Sequence, residues 1–317
     1  MDWSTVQELS ERYRNWGRWG PEDELGTLNY ATPEKLVEAA RLVKRGRSFS
    51  LAIPFDEHGP QRLSSVSGSK RFNPVHTMFW DGADIAVGAQ DFRPHIRSTD
   101  DMICMPLQCA TQWDSLAHVL YGDQMYNNRP ASLVTSQGAQ KNGIDKAKDL
   151  IAGRGVLLDV ARSKGVQWLE PGYAITSEDL EACIRSQGVE VGAGDFLLVR
   201  TGHMTLCRHQ GGWGDYAGGD APGLSLTTAG WLYQREVAAL CTDTWGVEVR
   251  PNETPDVMQP LHVVTIPNMG LLLGEIFYLD DLAEDCAHDG IYEFLFVAPP
   301  LPITGAVGSP VNPQAIK

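Results

Sequence analysis

Met105-Pro106-Leu107-Gln108-Cys109-Ala110-Thr111-Gln112-Trp113-Asp114-Ser115-Leu116-Ala117-His118 is the stretch on which the reading of this chain turns. Gln108, Gln112, Asp114 and His118 stand in an otherwise apolar setting. A buried polar group without a partner costs about 1–3 kcal/mol. Such residues are either held in a hydrogen-bonded loop or put to chemical use, and spacing leaves both readings open. All these positions are even-numbered, so a strand would place them on one face, yet it would spread Gln108 and Asp114 over roughly 20 Å, too far to share a metal. A helix would join Gln108 to Gln112 at i and i+4 but turn Asp114 away. The spacing therefore predicts a bend after Gln112, on a turn or loop carried by a rigid scaffold.

The scaffold is legible further along. Gly155-Val156-Leu157-Leu158-Asp159-Val160 reads as a buried strand, as do residues 196–200 and 237–242. Thr176-Ser177-Glu178-Asp179 opens a helix that Gly188 closes, and residues 226–236 form another. Strands alternating with helices predict an α/β fold in a single domain. A last strand is expected at about 291–298, with a loop-like tail after Pro299. Ser4 is expected to cap a helix reaching about Arg14, and Thr32-Pro33 to open another running to Arg45, ended by Gly46. Residues 1–45 then form a helical segment packed on a catalytic body of residues 46–317. Residues 47–53 look extended. Residues 56–100, rich in Gly, Ser, Pro, Asp and His, read as a long irregular loop of the kind enzymes use.

With 317 residues, 43% of them hydrophobic, the chain has ample material for one large core. A net charge of −14 argues against nucleic acid or an anionic membrane as partner, leaving a small-molecule substrate. No apolar run is long enough for a transmembrane helix. Met1-Asp2-Trp3-Ser4 lacks the basic and apolar regions of a secretory signal, so a cytoplasmic location is expected. The six cysteines form no Cys-x-x-Cys pair and are expected to be free thiols. Ser67-Gly68-Ser69-Lys70 matches Ser-x-x-Lys without the partner motifs of penicillin-recognising enzymes. Cys109 beside His118 lacks a nucleophile elbow. Strand ends gather ligands in α/β folds, which marks Arg200-Thr201-Gly202-His203 and Thr242-Asp243-Thr244-Trp245. His262 and Glu275, the latter closing an apolar run, are either salt-bridged core groups or ligands.

The frame from Gln108 to His118 resembles the signature of the metal-dependent cyclase family, His-x-Gly-Thr-His-x-Asp-x-Pro-x-His, to which kynurenine formamidase and isatin hydrolase belong. Thr111, Asp114 and His118 match it. Gln108 and Gln112 stand in place of metal-binding histidines, and Ala110 and Leu116 in place of the glycine and proline. The variant Gln-x-x-x-Gln-x-Asp-x-x-x-His is similar to that of trans-dienelactone hydrolase in the same superfamily. Leu198-Val199-Arg200-Thr201-Gly202, Pro222-Gly223-Leu224, Asp243 and the His262…Glu275 pair extend the resemblance over roughly residues 45–300.

This resemblance implies a swivelling β/β/α cyclase-like fold and a homodimer or homotetramer. It implies that Gln108, Gln112 and Asp114 face a metal, that His262 and Glu275 complete its site, and that His118 is the catalytic base. A glutamine oxygen is a weaker ligand for zinc than imidazole. The expectation is therefore one Zn²⁺ or Mn²⁺ on Asp114, His262, Glu275 and a glutamine oxygen, with substrate binding as the other use for the glutamines. The implied activity is hydrolysis of a lactone, amide or imide, though not a peptide, by metal-activated water. His76, Phe79, Trp80 and Trp113 are candidates to line a pocket for a planar ring, each also at home in a core. Arg200 and Asp243 are candidate substrate contacts. Two other readings stay open: a polyketide-type cyclase or dehydratase on the same site, and a metal-free binding protein.

Overall fold

The strands Ala152–Asp159, Phe196–Arg200, Ala239–Thr242 and Leu272–Glu275 each contain a buried apolar run, and such strands are stable only when covered on both faces. In the computed structural model, which describes residues 1–62 and 70–317, they lie side by side and parallel at the centre of a nine-stranded sheet. The full order is Ser48–Ser50, Gln314–Ile316, Glu293–Val297, Ala152–Asp159, Phe196–Arg200, Ala239–Thr242, Leu272–Glu275, Gln112–Asp114 and Gly308–Pro310. The strands outside the parallel set pair antiparallel. This is the single α/β domain that the alternation of strands and helices predicts.

The crossover helix Ser177–Gln187 begins where expected. Thr176 and Asp179 form a reciprocal capping box, and Gly188 ends the helix at φ 63°, a left-handed conformation that favours glycine. The helix at 226–236 is a 3₁₀ turn, Leu226–Thr228, running into Ala229–Arg235.

Several sequence expectations are corrected. The tail beyond Pro299 is not a loop: Gly308–Pro310 flanks the Gln112–Asp114 strand, and Gln314–Ile316 sits between two others. Both are three residues long, too short to show a period, and exist because neighbouring strands offer them backbone partners. The 56–100 region contains an antiparallel ribbon of Val75–Trp80 with Asp100–Cys104, and a short helix, Gly82–Ala86, capped by Asp81 and Asp84. The Ser-x-x-Lys match at 67–70 lies, but for Lys70, outside the described residues. The first helix, Trp3–Arg12, is capped by Asp2, whose carboxylate accepts from the Thr5 N–H. The second, Pro33–Ala40, stops early: the Arg41 and Leu42 N–H groups close tighter turns on the Glu38 and Ala39 carbonyls, and beyond them the Arg45 and Arg47 N–H groups bond to the Lys317 carbonyl. The N-terminal segment is tied to the body by Asn15 Nδ2 donating to Met269 O (2.9 Å) and Thr27 Oγ1 to Ala238 O (2.8 Å).

All six cysteines are free thiols, five buried and Cys104 exposed. Thiol titration of denatured, unreduced protein is expected to count six, and a deficit of two or more would reveal a disulfide. Among the described residues no helix is long and apolar enough to cross a membrane.

Candidate metal centre

The Gln112–Asp114 strand enters the sheet between Leu272–Glu275 and Gly308–Pro310. Side chains alternate across it. Trp113 turns to the core, packed edge-on against Phe277 (5.6 Å) and donating its indole N–H to the Ala298 carbonyl. Gln112 and Asp114 turn to the opposite face. The register sets Gln112 opposite Glu275 and Asp114 opposite both Leu273 and Gly308. The bend expected after Gln112 therefore falls two residues later, where the His118 N–H closes a turn on the Ser115 carbonyl. A second turn, Cys109 N–H to Pro106 carbonyl, brings Gln108 back from the other side. Neighbouring strands, absent from any local spacing argument, hold 112–114 extended.

Thr111 anchors this strand. Its hydroxyl donates to the Ile276 carbonyl (2.6 Å) and accepts from the Ile53 N–H (3.0 Å), all fully or nearly buried. Thr111→Val keeps the shape and leaves a donor and an acceptor unsatisfied. A stability loss of about 1–3 kcal/mol is expected in urea denaturation. An unchanged midpoint would show that these bonds do not hold the strand.

His262 comes from the helix Pro260–Val263, which widens into a π-helical turn, Val264–Met269. Pro267 has no N–H to continue the α pattern, and the Val263 carbonyl is satisfied by Asn268 Nδ2. Such π turns recur at functional sites. Glu275 ends its strand, and the next residue, Ile276, lies at φ 60°. Val247, next to Glu248, lies at φ 56°. Both are buried β-branched residues in a left-handed conformation, a strain of order 1–3 kcal/mol each that the surroundings must enforce.

The result is a sealed polar cluster. Donor atoms of Asp114, His262 and Glu275 all lie within 4.8 Å of one another. Gln112 Nε2 donates to Glu275 Oε2 at 2.6 Å, and His262 Nε2 lies 3.1 Å from Glu275 Oε1. The other imidazole nitrogen, Nδ1, is 2.5 Å from Glu248 Oε1, and Glu248 also accepts the N–H groups of Leu261 and His262. Burial alone would drive the His262 proton off, but the Glu248 and Glu275 carboxylates outweigh it and hold the pKa up at about 10. Burial, with Asp114 adding its charge, pushes Glu275 up to about 7. His118 lies at the rim with Nε2 3.8 Å from Asp114 Oδ2, too long for a hydrogen bond. Burial lowers its pKa, with Asp114 opposing, which favours the neutral imidazole.

Two features show that a cation fits here. Asp114 Oδ1 and Gln112 Oε1 are shielded from solvent and have no hydrogen-bond partner. Both are acceptors, and an acceptor without a donor calls for a positive charge. The three buried carboxylates, Asp114, Glu248 and Glu275, gather round the imidazole of His262, with the Arg71 charge also acting on Glu275, and Asp114, His262 and Glu275 are a donor set that suits a divalent ion. An imidazole fixed by a carboxylate on one nitrogen, with the other aimed into the cluster, is the arrangement that orients metal-binding histidines. Sequence reading missed Glu248. Its only signal is a carboxylate set between Val247 and Val249. Arg71 was missed too: its Nη1 donates to the Gln108 carbonyl at 3.1 Å.

The remaining candidates lie elsewhere. Arg200 pairs with Asp159 (3.0 Å) and Asp280 (2.9 Å). Asp243 accepts from Thr201 N, Thr201 Oγ1 and Gly202 N, each at 2.8 Å, and is pushed up to about 6 by burial although Arg200 opposes it. Together they tie the ends of the parallel strands. His76, Phe79 and Trp80 sit on the outlying ribbon, His76 paired with Asp101 at 2.6 Å and Phe79 exposed. Trp113 shares the strand but is spent on the core.

A model of the Cyclase family matches residues 49–249. A crystal structure described as a novel cyclase is 40% identical, covering 97% of this chain and 99% of its own, with a TM-score of 0.87. Isatin hydrolase A from Ralstonia solanacearum is 16% identical over 86% of this chain and 92% of its own, with a TM-score of 0.62. A predicted metal-dependent hydrolase from Bacillus stearothermophilus is 16% identical over 86% of this chain and 98% of its own, with a TM-score of 0.51. The last two likenesses are of fold. No curated protein matches the chain.

Proposed function

The chain belongs to the Cyclase family, and we propose that it is a metal-dependent hydrolase that opens a lactone or a similar small cyclic carbonyl compound. The observation that carries this reading is the sealed group of Asp114, His262 and Glu275, with two unpartnered acceptor oxygens beside a neutral His118. The hydrolases among its structural neighbours support it. Lactones come first because the Gln-x-x-x-Gln-x-Asp-x-x-x-His frame resembles that of trans-dienelactone hydrolase.

Asp114, His262, Glu275 and the Gln112 oxygen would hold the ion, Zn²⁺ or Mn²⁺. Once bound, it supplies Lewis-acid polarisation of the carbonyl and acidifies water. Glu248 would keep the His262 proton on Nδ1, and an ion on Nε2 would take the place of the second imidazolium proton. His118 takes the proton of the attacking water as its oxygen bonds to the carbonyl carbon. When the ring C–O bond breaks, His118 returns that proton to the leaving oxygen, so lactone and water give a hydroxy acid.

Metal analysis of the purified protein, with a mass-spectrometric panel of lactones, formamides and imides, tests this. Stoichiometric metal and products heavier by one water are expected. Products lighter by one water would mark a ring-closing enzyme. Protein without metal and without turnover would mark a binding protein.

A further inference from the structure

We propose that the two glutamines of the site have opposite tasks: Gln112 presents an oxygen to the metal, and Gln108 presents an N–H to the substrate, receiving the carbonyl oxygen as it becomes an oxyanion. This rests on the hydrolase reading and deepens it.

The orientation of Gln112 follows from its neighbour. Glu275 Oε2 is an acceptor, so the amide group 2.6 Å from it is the NH₂, which leaves the oxygen available to a cation. That oxygen is the one left without a partner.

Gln108 is seated differently. Its backbone carbonyl is held by Arg71, and its Nε2 is shielded from solvent with no partner. It lies over Gly308: a Cβ built there would sit 2.4 Å from Nε2, 3.0 Å from Cδ and 2.9 Å from the Trp113 carbonyl oxygen. A side chain at 308 would displace the amide and press on the strand that carries Gln112 and Asp114. Gly308 is the register partner of Asp114, and side-chain positions paired across antiparallel strands are about 4.5–5.5 Å apart. The amide therefore rests beside the Asp114 carboxylate, on the face that carries the cluster. Next to two buried carboxylates the N–H end of an amide is favoured inward and the oxygen end is repelled. A buried donor beside the acidic group, facing the position of the reacting carbonyl, is placed to stabilise charge that appears only in the transition state.

The test uses the full-length metal-loaded protein with a lactone that the wild type hydrolyses. The variants are Gln108→Ala, the volume-keeping Gln108→Leu and, for contrast, Gln112→Leu. Metal affinity is read by chelator competition and kcat separately from KM, with melting curves to confirm folding. The two Gln108 variants are expected to bind metal within about threefold of wild type while kcat falls about 10²–10³-fold, the usual cost of one oxyanion donor. Gln112→Leu is expected to weaken metal binding by about 10–100-fold. Metal affinity lost in the Gln108 variants and kept in Gln112→Leu would reverse the assignment and overturn the proposal. Unchanged kcat in folded Gln108→Leu would also overturn it. Failure of the parent reading is separate, because it shows in the wild type as absent metal or absent hydrolysis.

Discussion

Asp114→Ala is expected to lose stoichiometric metal and, with it, activity. Its carboxylate is 2% exposed, one oxygen has no partner, and it is one of two anionic donors in a cluster with a single imidazole. A Lewis acid contributes several kcal/mol to the transition state. At 1.36 kcal/mol per tenfold, the rate should fall by on the order of 10³-fold or more. Removing the charge also relieves the repulsion on Glu275, so the metal-free variant should fold, and Asp114→Asn controls for side-chain volume. Elemental analysis of the purified variant decides: stoichiometric metal bound to Asp114→Ala would show that the ligand set is wrong.

His118→Ala is expected to keep its metal and fold while losing activity by about 10²–10⁴-fold, the usual contribution of a general base. The side chain is at the rim, 23% exposed, and makes no hydrogen bond to Asp114 at 3.8 Å, so its loss leaves no buried group stranded. Burial favours the neutral imidazole, the state a base needs. Single-turnover rates and metal content on the same preparation separate the possibilities. Metal lost with the side chain would make His118 a ligand, and a near-normal rate would remove it from the mechanism.

Much of this protein can be read before any coordinates are seen. The buried runs at 155–160 and 196–200, the Thr176/Asp179 capping box and Gly188 are local signals, because strand burial and helix capping depend on residues a few positions apart. The frame from Gln108 to His118 likewise announced a cluster of chemically capable side chains, and the His262…Glu275 pair its second half. What the chain could not show locally is how these halves meet. Asp114 comes near Glu275 only because an antiparallel strand from one region slots beside a parallel strand from another, 161 positions along by the difference of their numbers. The tail supplies Gly308 as the opposite neighbour, from a strand too short to carry a pattern of its own. Glu248 is invisible for the same reason: its meaning lies in the imidazole nitrogen it holds, and that contact spans 14 residues. Arg200 and Asp243 look like site residues from their position at strand ends, yet the folded chain surrounds them with Asp159, Asp280 and Thr201. Chemical type and element class are properties of short segments. Distance, charge balance and the partner of each buried polar atom arise only when distant segments pack together.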